Sequence, residues 1–264
     1  MARFKLGFFG AGKMAEGILS AVPDKSGVIM AEKIATRAAE LEKKYYVKVV
    51  PELKEVAKSA SIVFLAVKPQ DVDAVAAEVK PLLKSTQTLV SIVAGKTIAK
   101  LRKAFGTKVK IVRVMPNLAL RANAGMCAVC GAKGVSKTTV AKVAGILGAA
   151  GESVVLGERD FDAVTALSGS GPAYFAYMEE AMMEGGIRLG LKPEVARLLA
   201  EQTMYGTAKY LRESGADLGE FIAGVCTKGG TTAAGMTELS KPAFKRIVAD
   251  TLAAAARRSK ELAG

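Results

Sequence analysis

The chain of 264 residues contains no histidine and no tryptophan, and aromatic residues make up only 6% of it. Histidine is the side chain whose ordinary titration falls near neutral pH and the commonest metal ligand, so both roles must be filled otherwise or not at all. Oxidation of an alcohol, which needs a base for the hydroxyl proton, loses its usual agent. Cysteine is scarce, with three residues, and a structural zinc normally takes four Cys or His ligands, so a metal centre is not expected. Cys127 and Cys130 have the spacing C-A-V-C, but AGMCAVCGA reads as a short strand, and an offset of three sends the two thiols to opposite faces. All three cysteines are expected to be small buried hydrophobes. No apolar run approaches the ~20 residues that span a bilayer. The opening MARFKLGFFGAG has neither the sustained apolar stretch nor the cleavage site of a secretion signal, so a cytoplasmic protein without membrane contact is expected.

What the chain does have is small apolar residues and positive charge. Hydrophobic residues make up 50%, enough to fill real cores with Ala, Val, Leu, Ile and Met, and Lys and Arg exceed Asp and Glu by 13. The basic residues are scattered and nowhere interleaved with aromatics, which argues against nucleic acid as a partner. A basic surface that attracts phosphates and carboxylates of small molecules fits better.

The first part alternates strand and helix. Continuous apolar runs at Arg3–Phe9, Val28–Ala31, Ser61–Val67 and Thr88–Val93 predict strands covered on both faces. Helical stretches Lys13–Ala21, a charged helix to about Tyr45, Val72–Leu83 and Thr97–Phe105 supply the crossovers of a parallel sheet. Lys108–Val114, Met126–Ala132 and Ser153–Leu156 extend it, with a helix near Thr138–Gly148. From about Asp160 strands stop, and helices at Pro172–Leu189, Pro193–Arg212, Leu218–Val225 and Pro242–Leu262 take over. Pro172–Leu189 is apolar nearly all round, as a buried helix is. A small helical domain can hardly bury it alone, which predicts pairing with a second copy. The expected fold is an α/β Rossmann-type doubly wound sheet, residues 1–158, followed by a second, all-helical dimerisation domain, residues 159–264.

FFGAGKMA, Phe8–Ala15, stands between the first strand and first helix and matches G-x-G-x-x-A. Gly10 permits the tight turn, Gly12 lets backbone approach a pyrophosphate, and the helix N-terminus faces its charge. Glu32 lies 20 residues past Gly12, where an acid bonds the ribose 2′-hydroxyl of NAD, but Lys33 and Arg37 follow and either suits the 2′-phosphate of NADP. VKPQ (Val67–Gln70), the turn Ala94–Gly95 and RVMPN (Arg113–Asn117) follow strands, where ligands of doubly wound sheets sit. In LSGSGPAY, Pro172 suits a first helical turn, and Gly169 and Gly171 admit close approach. In VCTKGGTT, Gly229 and Gly230 leave amides unshielded and Thr231 and Thr232 can cap the next helix, an arrangement that suits an anion.

These segments, with FLAVKP, SIVAG and DAVTALSGSGPAY, occur in an order and spacing that resembles pyrroline-5-carboxylate reductase from about Phe4 to Leu262. The resemblance implies NADPH or NADH as hydride donor and a dimer, or an assembly of dimers, with a cyclic imino acid as substrate. It implies that Gly10, Gly12, Lys13 and Met14 hold the pyrophosphate. Ala66, Lys68, Pro69, Ala94, Gly95, Met115 and Asn117 are implied to line the ribose and nicotinamide. Thr227, Gly229, Gly230, Thr231 and Thr232 are implied to hold the substrate carboxylate, with the Thr232 hydroxyl near the imine nitrogen. Thr227-Lys228 stands where Ser-Pro is usual, Leu118-Ala119 where Thr-Pro is common, and Leu53 where an asparagine commonly opens the third helix. A chain without histidine suits imine reduction better than alcohol oxidation, since a protonated C=N carbon already accepts hydride. The alternatives are a β-hydroxyacid dehydrogenase, whose catalytic lysine is missing from PAYFAYMEEAMMEGG, and a non-catalytic dinucleotide-binding protein.

Overall fold

A computed structural model of the protein describes residues 4–263. The expected start of the first strand, Arg3, lies outside the described residues. The described chain forms two compact units, residues 4–170 together with 255–263, and residues 171–254. The first unit thus runs past the change of texture expected from about Asp160, and residues 255–263 group with it.

The first unit is built on one sheet of eight strands: β1 (Phe4–Phe9), β2 (Val28–Ala31), β3 (Lys48–Val50), β4 (Ala60–Leu65), β5 (Thr88–Ser91), β6 (Lys110–Pro116), β7 (Gly125–Gly131) and β8 (Gly151–Val155). Their order is β3-β2-β1-β4-β5-β6-β7-β8. The crossovers are α1 (Lys13–Ala21), α2 (Ala35–Tyr45), α3 (Leu53–Ser59), α4 (Val72–Val79) and α5 (Ile98–Phe105). All pairings from β3 to β6 are parallel, so the sheet reverses outward from β1 and β4 as a Rossmann sheet does. Along β1 and β4 successive side chains enter opposite cores. Phe9, Val63 and Leu65 pack on one face; Phe8, Ile62 and Phe64 pack on the other. Phe8 and Phe64 stack with ring centroids 5.0 Å apart. Two covered faces explain why these strands are apolar throughout.

Three expectations are corrected. β7 runs antiparallel to β6, and β8 then pairs parallel to β7, so the sheet is not parallel to its far edge. Residues 117–124 between β6 and β7 hold only a 3₁₀ turn at Leu118–Ala122 with Asn123 left-handed at φ 53°, too short for a helical crossover. β3 was not foreseen, being three residues long. The helix expected to reach Leu83 ends at Val79 and tightens into a 3₁₀ turn, because Pro81 cannot donate to the α-helical ladder.

Cys127 and Cys130 do lie on opposite faces of β7, one in each core. Burial pushes the Cys127 thiol up to about 12. Cys226 is only half-buried, contrary to expectation. Among the described residues no cluster of His, Cys, Asp or Glu could hold a metal ion, and no helix is long and apolar enough to cross a membrane.

α6 (Lys137–Gly148) covers β7 and β8, and α7 (Phe161–Val164) opens a helical segment whose next turn, Thr165–Gly169, is π-helical. The second unit comprises α8 (Gly171–Arg188), α9 (Pro193–Ser214), α10 (Leu218–Val225), α11 (Thr231–Leu239) and most of α12 (Pro242–Ala263). Between residues 171 and 254 the only buried positions among the described residues are Gly171, Ala196 and Ala200. Phe175, Tyr177 and Leu198 stand 66%, 75% and 66% exposed.

Candidate active site

In the first unit the C-terminal ends of β1, β2, β4, β5 and β6 share one edge of the sheet, and the glycine loop stands at its middle. Gly10 has φ +92°, and a Cβ there would lie 2.8 Å from the Ala66 carbonyl oxygen, so both backbone conformation and neighbour exclude a side chain. Ala66 N–H in turn donates to Phe9 O at 2.9 Å, locking β4 to the loop. Gly12 precedes α1 without any side-chain cap, and nothing lies within 4 Å of the place its Cβ would occupy. The N–H groups of Lys13, Met14 and Ala15 follow; a helix's first turn has no acceptor of its own for them. Open space over uncapped amides at a positive helix end suits a pyrophosphate, so the residues present fit the dinucleotide.

Beside this loop lies a cleft of about 370 Å³ lined by Gly10, Glu32, Lys33, Leu53, Val67 and Asp71, among others. Glu32 is pinned from both sides of its Cα. Its N–H donates to Val50 O at 2.9 Å, and its Oε1 accepts the Ile34 N–H at 2.9 Å. Leu53 opens α3 and lines the cleft with an apolar side chain.

Arg37, one of the two basic candidates for a 2′-phosphate, is already engaged. Its Nη2 donates to Glu16 Oε2 at 2.6 Å and reaches Ala11 O at 3.4 Å, while Nη1 pairs with Glu40 at 2.9 Å. Glu16 is buried in α1 and also accepts from Lys44 Nζ and Tyr45 Oη, each at 2.9 Å. Burial alone would raise the Glu16 carboxyl; the hydrogen bonds from Arg37, Lys44 and Tyr45 outweigh it and hold the group at about 2. Sequence reasoning did not single out Glu16, and its partners 21 to 29 residues away left no local signal.

At the other strand tips Lys68 and Pro69 are exposed, with Pro69 opening a 3₁₀ turn after β4. Ala94 is exposed and Gly95 has φ +70°. A Cβ at Gly95 would meet the Leu262 carbonyl oxygen at 3.2 Å, so the end of α12 is one reason for that glycine. The Ser259 hydroxyl donates to Asp162 at 2.7 Å and fastens the same helix end to the first unit. Met115 lies near the end of β6 and Asn117 follows it. The Asn117 N–H donates to Met126 O at 3.1 Å and its side-chain Oδ1 accepts the Met126 N–H, also at 3.1 Å, so backbone and side chain together hold the reversal. Its Nδ2 reaches the Ser168 hydroxyl at 3.4 Å. Ser168 lies in the π-helical turn closed by Ser170 N–H to Thr165 O at 2.8 Å. That wider turn brings Gly169 over the Met115 methyl, where a Cβ would overlap. The DAVTALSGSGPAY block thus works partly as close packing beneath the strand tips.

In the second unit the Thr227–Thr232 turn differs in detail from expectation. Gly229 has φ +72°, which favours glycine. Gly230 does not leave its amide free: its N–H donates to Thr227 O at 2.9 Å, and a Cβ there would overlap the Thr227 hydroxyl. Thr231 and Thr232 are not caps. Gly230 is the residue before α11, no side chain caps it, and both threonines are helical, Thr231 exposed and Thr232 half-buried. The N–H groups of Thr231, Thr232 and Ala233 therefore head the helix with the Thr227 hydroxyl alongside, a carboxylate-sized set of donors.

Comparison with known proteins agrees with both units. Residues 158–262 match the family model for pyrroline-5-carboxylate reductase dimerisation, and residues 5–95 match that for NADP oxidoreductase, coenzyme F420-dependent. The pyrroline-5-carboxylate reductase of Synechocystis is 38% identical, with 98% of each chain covered. That of Arabidopsis thaliana is 37% identical, covering 98% of this chain and 95% of the relative. Among solved structures, a Coxiella burnetii pyrroline-5-carboxylate reductase superposes with TM-score 0.94 at 29% identity over 99% of both chains. A Plasmodium falciparum pyrroline carboxylate reductase, solved with NADP bound, superposes with TM-score 0.86 at 30% identity over 100% of both. With its glycine loop, its helical second unit and its whole length thus accounted for, the chain belongs to the pyrroline-5-carboxylate reductase family.

Proposed function

We propose that this protein reduces 1-pyrroline-5-carboxylate to L-proline by hydride transfer from NAD(P)H, the last step in making that amino acid. The observation that carries the proposal is the near full-length similarity to relatives of that name, joined to an open, uncapped glycine loop in the first unit. When bound, the reduced nicotinamide supplies the hydride that the imine carbon accepts; the imine nitrogen keeps its proton as the C=N bond becomes C–N.

The chain's own residues have modest chemistry to perform. Gly10, Gly12, Lys13 and Met14 hold the pyrophosphate. Glu32 and Lys33 meet the adenosine ribose, and Ala66, Lys68, Pro69, Ala94, Gly95, Met115 and Asn117 line the remaining dinucleotide. The Thr231, Thr232 and Ala233 amides at the head of α11, with the Thr227 hydroxyl and the Gly229–Gly230 turn that brings them together, take the substrate carboxylate. The Thr232 hydroxyl accepts a hydrogen bond from the protonated imine nitrogen. Holding the two reactants in register is an entropic advantage of several kcal/mol. No base is required, which is compatible with a chain lacking histidine.

The active form is a homodimer in this reading, built through the helical unit. Its support is the exposed apolar surface of α8 and α9 in the single chain. A cytoplasmic site of action accords with three free cysteines.

The deciding experiment follows NADPH and NADH consumption with 1-pyrroline-5-carboxylate. A reductase consumes either cofactor only when imine is added. A non-catalytic dinucleotide binder binds it without turnover, and a β-hydroxyacid dehydrogenase turns over only with hydroxyacids and oxidised cofactor. Thr232→Ala should lower turnover about tenfold or more with cofactor affinity intact; unchanged turnover removes Thr232 from the mechanism.

A further inference from the structure

NADH and NADPH differ by one phosphate on the adenosine 2′-oxygen, and the cleft beside the glycine loop is where that difference is felt. We propose that this protein favours NADH, with Glu32 as the specificity-determining residue and Glu16 as a positioning residue that withholds Arg37 from the 2′-phosphate. The inference rests on the reading of the first unit as a dinucleotide site.

Glu32 follows the last residue of β2, lines the cleft with Gly10, and is held by Ile34 N–H at one carboxylate oxygen only. Its second oxygen remains to accept from a ribose hydroxyl. A carboxylate has acceptors but no donor, so it welcomes a 2′-hydroxyl and repels a 2′-phosphate. Asp71 lines the same cleft, so two carboxylates stand there against the single ammonium of Lys33.

The residue best suited to reverse that balance is Arg37, whose guanidinium could grip a phosphate bidentately. Its two terminal nitrogens instead face Glu16 at 2.6 Å and Glu40 at 2.9 Å. Glu16 is 8% exposed and sits at the convergence of Arg37, Lys44 and Tyr45. Freeing Arg37 would uncouple a buried carboxylate from its shortest partner, an expensive rearrangement. The carboxyl's low pKa keeps it ionised, and Arg37 engaged, throughout the physiological range.

The test measures binding before turnover: calorimetric titration with NADH, NADPH, adenosine 5′-monophosphate and adenosine 2′,5′-bisphosphate. Wild type should bind NADH about tenfold or more tightly than NADPH, with the two adenosine fragments ranked alike. Glu32→Gln keeps an oxygen for Ile34 N–H and removes the charge. It should move the ratio toward NADPH by about tenfold, and Glu32→Ser should move it the same way. Arg37→Ala should leave the ratio unchanged in the wild-type background. Equal wild-type affinities, or a ratio unmoved by Glu32→Gln, overturn the role of Glu32. A selective loss of NADPH affinity in Arg37→Ala overturns the withholding by Glu16. Ranked binding without imine reduction by either cofactor would remove the reductase reading and leave this one. Reduction with NADPH clearly favoured would do the reverse.

Discussion

The two units solve the problem of burying apolar surface in opposite ways. In the first, a sheet covered on both faces brings Phe8, Phe9, Phe64, Leu65 and Leu89 to zero exposure within a single chain. In the second, five helices rich in Ala, Met and Leu leave Phe175, Tyr177, Leu198 and Tyr205 each more than half exposed. A sheet presents two broad faces that its own crossover helices can cover. Helices apolar around most of their circumference need neighbours on every side, and one chain does not supply them. The first unit thus fills its core by its own contacts, whereas the second leaves apolar side chains that its own helices do not cover.

The strongest way to break this contrast is to charge the exposed apolar face. Phe175→Glu combined with Leu198→Glu should convert the assembly to monomer in sedimentation velocity, because each change places a carboxylate where about 2 kcal/mol of burial is expected. Retained assembly would show that those faces stay wet. Conversely, Leu89→Ala should destabilise the first unit by about 2–5 kcal/mol in chemical denaturation while leaving the assembly state unchanged. A loss of assembly from that core substitution would mean the two units do not stand on separate contacts.

Within the first unit, Gly10→Ala should weaken cofactor binding about tenfold or more, since the left-handed turn is strained by any Cβ. Calorimetry reads the loss, and an unchanged far-ultraviolet circular dichroism spectrum separates it from unfolding. The smallest effect expected is one of pH. Glu16 has a folded pKa of about 2 against the usual 4.5, so its ionised form adds stability above about 4.5 that is lost as pH falls toward 2. Denaturation midpoints of Glu16→Gln should start lower at neutral pH and fall less steeply between those two values. Parallel curves for the two proteins would show that the cluster around α1 does not couple to protonation.

Much of the first unit could be read from the chain because its signals are local. Gly10 and Gly12 stand between an apolar run and a helix, and a doubly covered strand is apolar at every position. Strand direction is not a local property. SIVFLAV and GMCAVCG look alike, yet one is parallel to its neighbours and the other antiparallel to β6. Only the short span between Pro116 and Gly125 hinted at the reversal, since a crossover needs a dozen or more residues. β3 was missed because three residues carry no periodicity. In the candidate site, Gly230 was legible as special, but its reason, the Thr227 hydroxyl against its Cα, was not. Likewise Thr231 and Thr232 looked like caps by residue type, whereas the cap position fell one residue earlier, on Gly230.

The sequence by itself determined the α/β alternation, the glycine loop at the end of the first strand, the helical second half and the separation of Cys127 from Cys130 by the period of a strand. These follow from spacing, which the backbone converts directly into faces and turns. Tertiary structure alone decided that Arg37 belongs to Glu16 and not to the cleft, that the end of α12 comes back to Gly95, and that β7 reverses the sheet. Each depends on groups far apart in the chain, whose meeting is set by packing of whole elements and leaves no periodic trace in the residues themselves.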